Sequence, residues 1–228
     1  MQRNDTSFPA RATTKIARLL EAPGVEYLKS YQRICHAIMT DPEFGIGADG
    51  NGRGVLVYMG MGLGKTRLAV AVALSMMHQF EIIIATSRSL RSNITETVAT
   101  VLKLQNPDMS REDFIVLVKG VVDKFSFVSM DAYNSAEQMT KSSGLNGKLL
   151  IIDEAHNFFK SIINGSTNAV KMYEAIMNAQ NLRLLFLTGT PISKNVFQIV
   201  PCYNMLTGRE ILPVQYEVFY KLYVDEKA

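Results

Sequence analysis

The fold of this chain is decided by the stretch Val55-Leu56-Val57-Tyr58-Met59-Gly60-Met61-Gly62-Leu63-Gly64-Lys65-Thr66. Its apolar beginning predicts a buried strand, and its glycines predict a tight turn that opens into a helix at Lys65. The backbone N–H groups of such a turn and the positive end of the helix dipole both favour an anion. We therefore expect this stretch to bind phosphate.

The phosphate-loop pattern G-x-x-x-x-G-K-[ST] is met except at its first position, where this chain has Met59. In that pattern Lys65 reaches the β- and γ-phosphates, and the Thr66 hydroxyl is a ligand of Mg²⁺. The alternative, an ordinary strand-to-helix turn without a ligand, stays open on this stretch alone. The candidate nucleotide-binding residues here are Met61, Gly62, Leu63, Gly64, Lys65, Thr66 and Arg67.

Composition is that of an ordinary globular protein. The chain has 228 residues, of which 47% are hydrophobic and 20% are charged, so it can bury a full core. A net charge of +3 permits nucleic-acid contact without requiring it. Cys35 and Cys202 lack metal-ligand spacing, which favours a reduced protein. With no leader and no apolar run near ~18 residues, we expect a soluble intracellular protein that does not enter a membrane.

Strands alternate with helices along most of the chain, which predicts an α/β fold with a parallel sheet flanked by helices. Residues 1–24 are predicted to form a flexible extension with a short helix, and residues 25–228 to form one domain. Beyond the first strand, we predict strands over 82–85, 114–118, 125–130, 149–152 and 184–187. Helices are predicted over 27–39, 66–78, 93–104, 131–138 and 168–179, with a capping box from Asn93 to Glu96, and short helices after residue 195.

An acidic pair, Asp153 and Glu154, directly follows the apolar run 149–152. A carboxylate at a strand end beside a triphosphate is able to hold Mg²⁺, which is the role we expect for Asp153. Glu154 would orient and deprotonate the attacking water. The alternative is that both carboxylates simply end a strand in solvent. We count Lys65, Asp153 and Glu154 as the candidate catalytic residues, and Thr66 and Asp153 as metal ligands.

A threonine-rich motif, Thr188-Gly189-Thr190-Pro191, follows the apolar run 184–187. The carboxyl ends of parallel strands meet at one edge of a sheet, so one pocket is expected to collect this motif, the acidic pair and the phosphate loop. We predict that His156 forms a hydrogen bond to the 188–190 loop and couples the state of the γ-phosphate to that edge. A purely structural histidine is the alternative.

Candidate nucleic-acid contacts are Arg88, Ser89, Arg91 and Ser129, which follow two predicted strands. Hydroxyls would position phosphates there and arginines would supply charge, although a solvated basic loop is the alternative. No Asn-Lys-x-Asp sequence occurs, so the guanine-reading signature is missing and ATP is favoured over GTP.

These motifs resemble motifs I, II and III of superfamily 2 helicases: Gly62-Leu63-Gly64-Lys65-Thr66, Asp153-Glu154-Ala155-His156 and Thr188-Gly189-Thr190-Pro191. The first and third are especially similar to the SWI/SNF-type branch. The acidic motif with Asn157-Phe158-Phe159 looks closer still to DNA-dependent ATPases of large DNA viruses, of the poxvirus nucleoside triphosphatase I and early transcription factor types. The resemblance covers roughly residues 25–225.

The resemblance implies a RecA-like ATPase that uses ATP and Mg²⁺ and moves on duplex DNA, with viral relatives that act in transcription. A viral protein of this kind would work in the virion or the cytoplasm of the infected cell. Tyr31-Gln32 matches the family's adenine-reading position, whereas a lone Gln on a helix would simply be a surface residue. In the family, Thr188 and Thr190 belong to the coupling motif, and Gly is not required at Met59.

Superfamily 2 motors have two RecA-like lobes, and the second supplies arginines to the transition state. After Pro191 this chain has one arginine, Arg209, so we expect a first lobe that turns over poorly without its partner lobe. Two other readings stay open. One is a non-catalytic nucleotide-binding module that docks through residues 214–224, and the other is a small-molecule kinase.

Overall fold

The computed structural model describes residues 24–41, 46, 52–141, 144–190 and 195–224. Its centre is a sheet of five strands that pair in parallel, in the order β1-β5-β4-β2-β3. This confirms the predicted α/β architecture. The strands are β1 Gly54–Tyr58, β2 Glu81–Thr86, β3 Phe125–Ser129, β4 Lys148–Ile152 and β5 Arg183–Thr188.

Helices connect the strands and continue beyond the last one. The helices are α1 Ser30–Thr40, α2 Lys65–Met76, α3 Arg91–Gln105, α4 Arg111–Val122, α5 Ser135–Thr140, α6 Ala155–Ile163, α7 Thr167–Asn178, α8 Ile199–Thr207 and α9 Tyr216–Tyr223. Two 3₁₀ turns, Arg88–Leu90 and Val196–Gln198, precede α3 and α8. Within the described ranges, no helix is long and apolar enough to span a bilayer.

Alternate residues of each strand build two cores, one on each face of the sheet. On β2, Ile82 and Ile84 join the core formed with α2, α3 and α4, whereas Ile83 and Ala85 join the core formed with α5, α6 and α7. All five residues of β4 are buried. Burying one valine, leucine or isoleucine side chain contributes roughly 2 kcal/mol to the free energy of unfolding. Because helices cover both faces of the sheet, each strand position gains from an apolar residue, which explains why the strands are continuous apolar runs.

The predicted strand at 114–118 is wrong, because these residues lie within α4. Ser110 caps this helix by accepting a hydrogen bond from the backbone N–H of Asp113. Phe114, Leu117 and Val118 pack against the core at helical spacing, while residues 115 and 116 are exposed. The i, i+3, i+4 period therefore governs this segment in spite of its β-branched residues.

Other helix predictions need smaller corrections. The capping box from Asn93 is wrong: α3 begins at Arg91, and no side chain caps it. The short helix predicted at 131–138 begins at Ser135 and ends at Thr140. Helix α6 was not predicted at all, although it buries Phe158 and Phe159 directly behind the acidic pair. The predicted extension over residues 1–24 lies almost entirely outside the described residues.

Arg53, directly before β1, ties the C-terminal helices to the sheet. Its guanidinium donates hydrogen bonds to three carbonyls at the ends of α7 and α8: Ile176 at 2.8 Å, Ala179 at 3.1 Å and Met205 at 2.8 Å. Two of these carbonyls also accept a backbone N–H at the end of their helix, Ile176 from Ala179 and Met205 from Gly208. Burial lowers the pKa of Arg53, but this side chain stays charged at any physiological pH.

His36 joins α1 to α2. Its Nε2 lies 2.9 Å from the Ser75 hydroxyl, and its Nδ1 lies 3.4 Å from the Thr40 hydroxyl. Burial lowers the pKa of His36 to about 4. The imidazole is therefore neutral at neutral pH, and it links the helix that carries Gln32 to the helix that begins at Lys65.

Candidate active site

The loop between β1 and α2 has the backbone conformation that its glycines permit. Gly62 and Gly64 have φ values of 76° and 84°, in the left-handed region that other residues avoid. Gly64 is also the residue from which α2 starts, so the N–H groups of the first helical turn face the loop. The sequence thus forms the strand, glycine turn and helix start that phosphate binding requires.

The Lys65 ammonium is the point where the three motifs meet. Its Nζ donates a hydrogen bond to the Met59 carbonyl at 3.2 Å and lies 3.7 Å from Glu154 Oε1. A Cβ built on Gly189 would lie only 2.8 Å from the same Nζ. The phosphate loop, the acidic pair and the threonine-rich motif therefore converge, as the parallel sheet predicts.

Asp153 sits just beyond β4. Its backbone N–H continues the ladder to the Ala85 carbonyl at 3.0 Å, and its Oδ1 accepts a hydrogen bond from the Glu154 N–H at 3.0 Å. Burial raises the pKa of Asp153, and the charge of Glu154 adds to this. The hydrogen bond from the Glu154 N–H and the charge of Lys65 act in the opposite direction. A carboxylate without full hydration gains from a nearby cation, which suits a metal ligand.

Glu154 occupies the centre of the site in a left-handed conformation, with φ of 48°. Its Oε2 lies 3.4 Å from His156 Nδ1 and 3.5 Å from the backbone N of Gly189. The side chain is 39% exposed, so water reaches the carboxylate. A non-glycine residue in this region costs of order 1 kcal/mol, and such strain clusters at functional sites.

The predicted hydrogen bond from His156 to the threonine-rich loop is present. His156 Nδ1 lies 2.9 Å from Thr188 Oγ1. That hydroxyl also donates to the Thr190 carbonyl at 2.9 Å and accepts from the Thr190 N–H at 3.2 Å. Because the hydroxyl proton is used on Thr190, His156 Nδ1 must be the donor, which assigns the proton to Nδ1. Pro191 lies outside the described residues.

Gln32 is buried against the phosphate loop. Its Nε2 donates to the carbonyls of Leu63 at 3.2 Å and Gly64 at 3.1 Å, and its Oε1 accepts from the Lys29 N–H at 2.9 Å. A Gln three residues after a helix N-cap often accepts such a bond, which is the sequence signal that indicates this placement. Contact with the loop carbonyls has no comparable signal in the sequence.

A cavity of about 360 Å³ adjoins Gln32 and the loop. Its lining includes the predicted residues Gly62, Leu63, Gly64, Thr66 and Arg67, and it also includes Lys29, Thr97 and Thr100, which sequence reasoning missed. Met61 is 92% exposed at the tip of the loop. The cavity has the volume expected of a small-ligand site, and its lining is mostly polar.

The described residues contain no group of three or more His, Cys, Asp or Glu side chains that could hold a metal ion. The two residues predicted as metal ligands, Thr66 and Asp153, offer a hydroxyl and a carboxylate oxygen. Mg²⁺ keeps several waters and takes phosphate oxygens, so it needs only one or two protein ligands. These residues therefore fit a magnesium ion that arrives with a nucleotide.

The candidate nucleic-acid residues lie at the β2–β3 part of the same edge. Arg88 and Ser89 form the exposed 3₁₀ turn after β2, and Ser129 ends β3. The Arg91 guanidinium lies 4.6 Å from the centre of the Phe127 ring, a cation–π contact that holds it against β3.

The parallel sheet and the convergence of three motifs on Lys65 define a helicase-type RecA-like domain. Comparison with known families places it more closely. The chain belongs to the ResIII family, described as the res subunit of type III restriction enzymes, whose sequence model matches residues 14–193.

The chain is similar to several viral proteins. One is a termination factor NPH-I homolog of African swine fever virus, isolate Tick/Malawi/Lil 20-1/1983, to which the chain is 42% identical over 241 residues. The alignment covers 98% of this chain and 34% of the relative. The homolog from isolate Pig/Kenya/KEN-50/1950 is also 42% identical over 244 residues. A protein of Acanthamoeba polyphaga mimivirus, described as a candidate ATP-dependent RNA helicase, is 30% identical over 125 residues, covering 53% of this chain and 21% of that protein.

These findings confirm the predicted resemblance to a helicase lobe of large DNA viruses. The chain spans about a third of the length of the African swine fever virus relatives that it matches.

Proposed function

We propose that this chain is the ATP-binding lobe of a viral, DNA-dependent motor ATPase that couples hydrolysis to movement on duplex DNA. The observation that carries the proposal is the position of Lys65 Nζ, which lies 3.7 Å from Glu154 Oε1 and beside Gly189. A phosphate that bonded Lys65 would meet a carboxylate base and the threonine-rich loop at one point.

Each residue then has a definite role. Lys65 and the loop N–H groups hold the phosphates, while Thr66 and Asp153 would hold Mg²⁺, which supplies charge neutralisation when bound. In the structure the Lys65 ammonium lies 3.7 Å from the Glu154 carboxylate. A phosphate that attracted Lys65 would release the Glu154 carboxylate to accept a proton from water, which its partial exposure permits.

Coupling to nucleic acid would run through His156. Its hydrogen bond to Thr188 joins the base Glu154 to the loop after β5, and Thr188 passes the contact on to Thr190. We propose that Arg88, Ser89, Arg91 and Ser129 bind DNA phosphates at the neighbouring edge. The relatives named as termination factors support a place in viral transcription, in the virion or the infected-cell cytoplasm.

A second RecA-like lobe would complete the site by supplying arginines. Without them, we expect the 228-residue chain to bind Mg²⁺–ATP but to hydrolyse it slowly, with a deficit of ~10³-fold or more. Rapid turnover by this chain alone, stimulated by duplex DNA, would contradict that part of the proposal.

Titration calorimetry with Mg²⁺–ATP tests the central claim. We expect binding by the wild-type chain, loss of binding in Lys65→Ala, and no change in Lys171→Ala, which removes an exposed lysine on α7. Glu154→Gln should bind ATP but lose the residual turnover. No magnesium-dependent binding by a folded wild-type sample, or equal binding by Lys65→Ala, would refute the proposal.

A further inference from the structure

The side chain of Thr86, the last residue of β2, holds an unused hydrogen-bonding group. Thr86 is 3% exposed, and its hydroxyl is buried without a hydrogen-bond partner. Among the described residues the Tyr27 hydroxyl is the other buried side-chain polar atom in this state. Native proteins satisfy nearly all such groups, because each unpaired one is costly. An orphaned hydroxyl beside a ligand site therefore calls for a partner that arrives with the ligand.

The strand pattern fixes the side of the sheet that Thr86 faces. Side chains alternate along a strand, and Ile82 and Ile84 join the core beneath α2. Thr86 follows in the same series, so it lies on the α2 face. Its backbone carbonyl still pairs with β3, accepting from the Met130 N–H at 3.1 Å. The free group is thus the hydroxyl alone.

By the same alternation of side chains, Asp153 lies next to Thr86. On β4, Leu149 and Ile151 join the core beneath α2, and Asp153 continues that series. Ala85 is in register with Ile152, and the Asp153 N–H extends the ladder by bonding the Ala85 carbonyl. Continued by one position, this register sets Thr86 opposite Asp153. Adjacent strands are ~4.8 Å apart, so the hydroxyl and the carboxylate lie within a side-chain rotation of each other.

We propose that Thr86 is a positioning residue for the magnesium–nucleotide site. This inference rests on the proposed function. When Asp153 turns to hold Mg²⁺, the Thr86 hydroxyl donates a hydrogen bond to its carboxylate and fixes its direction. A donor also stabilises the charged form of a carboxylate that burial disfavours. The Thr86 hydroxyl bonds no group of the described protein residues, so we expect its contribution to appear with the bound metal.

Two substitutions separate this role from packing. Thr86→Val keeps the shape and removes the hydroxyl, and Thr86→Ser keeps the hydroxyl. Without ligand, we expect Thr86→Val to unfold at the same or a higher urea concentration than wild type, because an unpaired polar atom has been removed. Tyr27→Phe is the matched control, since it removes the other unpartnered hydroxyl without altering the magnesium dependence of binding.

The binding measurement is calorimetry with ATP at increasing Mg²⁺, and again in EDTA. For Thr86→Val we expect nucleotide affinity at saturating Mg²⁺ to fall about 10-fold, as loss of a hydrogen bond to a charged group predicts, with no change in EDTA. Thr86→Ser should stay close to wild type.

Three results would overturn the inference while leaving the proposed function intact. They are wild-type magnesium dependence in Thr86→Val, an equal loss in Thr86→Ser, or clear destabilisation of ligand-free Thr86→Val, which would reveal a structural partner for the hydroxyl. If wild-type protein itself shows no magnesium-dependent nucleotide binding, the proposed function fails and this inference fails with it.

Discussion

Acidification should loosen the contact between α1 and α2, because His36 is held there in its neutral form. The side chain is 4% exposed and is bonded to Ser75 and Thr40. Burial lowers its pKa from 6.5 to about 4. Since the folded pKa lies below the unfolded one, the unfolded chain binds more protons between these values. Stability from this residue is fully present above about pH 6.5 and is lost as the pH falls towards about 4.

The size of the effect follows from the gap of about 2.5 pH units between the two pKa values. At ~1.4 kcal/mol per unit, the free energy of unfolding falls by about 3 kcal/mol across the whole window. Roughly 2 kcal/mol of this is already lost at about pH 5, according to the linkage relation. For a domain whose total stability is ~5–15 kcal/mol, a loss of that size is easily measured.

Urea unfolding at about pH 7.5 and about pH 5 provides the assay, with wild type compared to His36→Gln. Glutamine can donate and accept hydrogen bonds but cannot gain a proton. Between the two pH values, the free energy of unfolding of His36→Gln should therefore fall by roughly 2 kcal/mol less than that of wild type. Carboxylates that titrate in this range affect both proteins and cancel in the difference. His78→Gln replaces an exposed histidine, and its free energy of unfolding should change between the two pH values as much as that of wild type. Equal pH dependence in wild type and His36→Gln would refute the reasoning.

Three further predictions concern the framework around the site. Arg53→Met leaves three helix-end carbonyls without their charged donor, so the free energy of unfolding should fall by roughly 3 kcal/mol in urea. Arg209→Met, at an exposed position, should change it by less than ~0.5 kcal/mol. A Cβ at Gly54 would lie 2.4 Å from the Leu184 Cβ, so Gly54→Ala should lower the melting temperature, with a cost of at least ~1–3 kcal/mol. In the control Gly120→Ala, the added Cβ would meet open space, so this change should stabilise the protein by ~0.5–1 kcal/mol. If Gly120→Ala destabilised the protein as much as Gly54→Ala, the steric explanation would be wrong. Burial raises the pKa of Cys202 to about 12, so iodoacetamide should label this thiol only after unfolding, and rapid labelling of the native protein would contradict its burial.

Much of the sheet was predictable because its strands are unbroken apolar runs that end in polar motifs. Ile83, Leu150 and Leu185 each sit inside such a run, and each is buried in the centre of the sheet. Phe114 opens an aromatic and β-branched segment of strand length, which is why a strand is predicted there. That segment packs on one face at the helical period, which is visible only when residues 114, 117, 118 and 121 are compared.

The site was predictable as far as the topology of the sheet determines it. Lys65, Asp153 and Gly189 follow three different strands, and the parallel order brings them together. The remaining contacts depend on how side chains from distant elements turn. Tertiary packing determines both the bonds from Gln32 to the loop carbonyls and the burial of the unpaired Thr86 hydroxyl. No local pattern of residues specifies either of them.

The Gln32 amide has one further consequence, which concerns selectivity. Both of its N–H bonds are already made with Leu63 and Gly64, and its oxygen already accepts from Lys29. A purine that engaged this amide would exchange bonds rather than add them, so the net gain for the correct base would be small. The exchange would increase the mobility of the phosphate loop, because the carbonyls of Leu63 and Gly64 would lose their bonds to Gln32. Discrimination between bases would then show in the hydrogen exchange of the loop amides more strongly than in the dissociation constant.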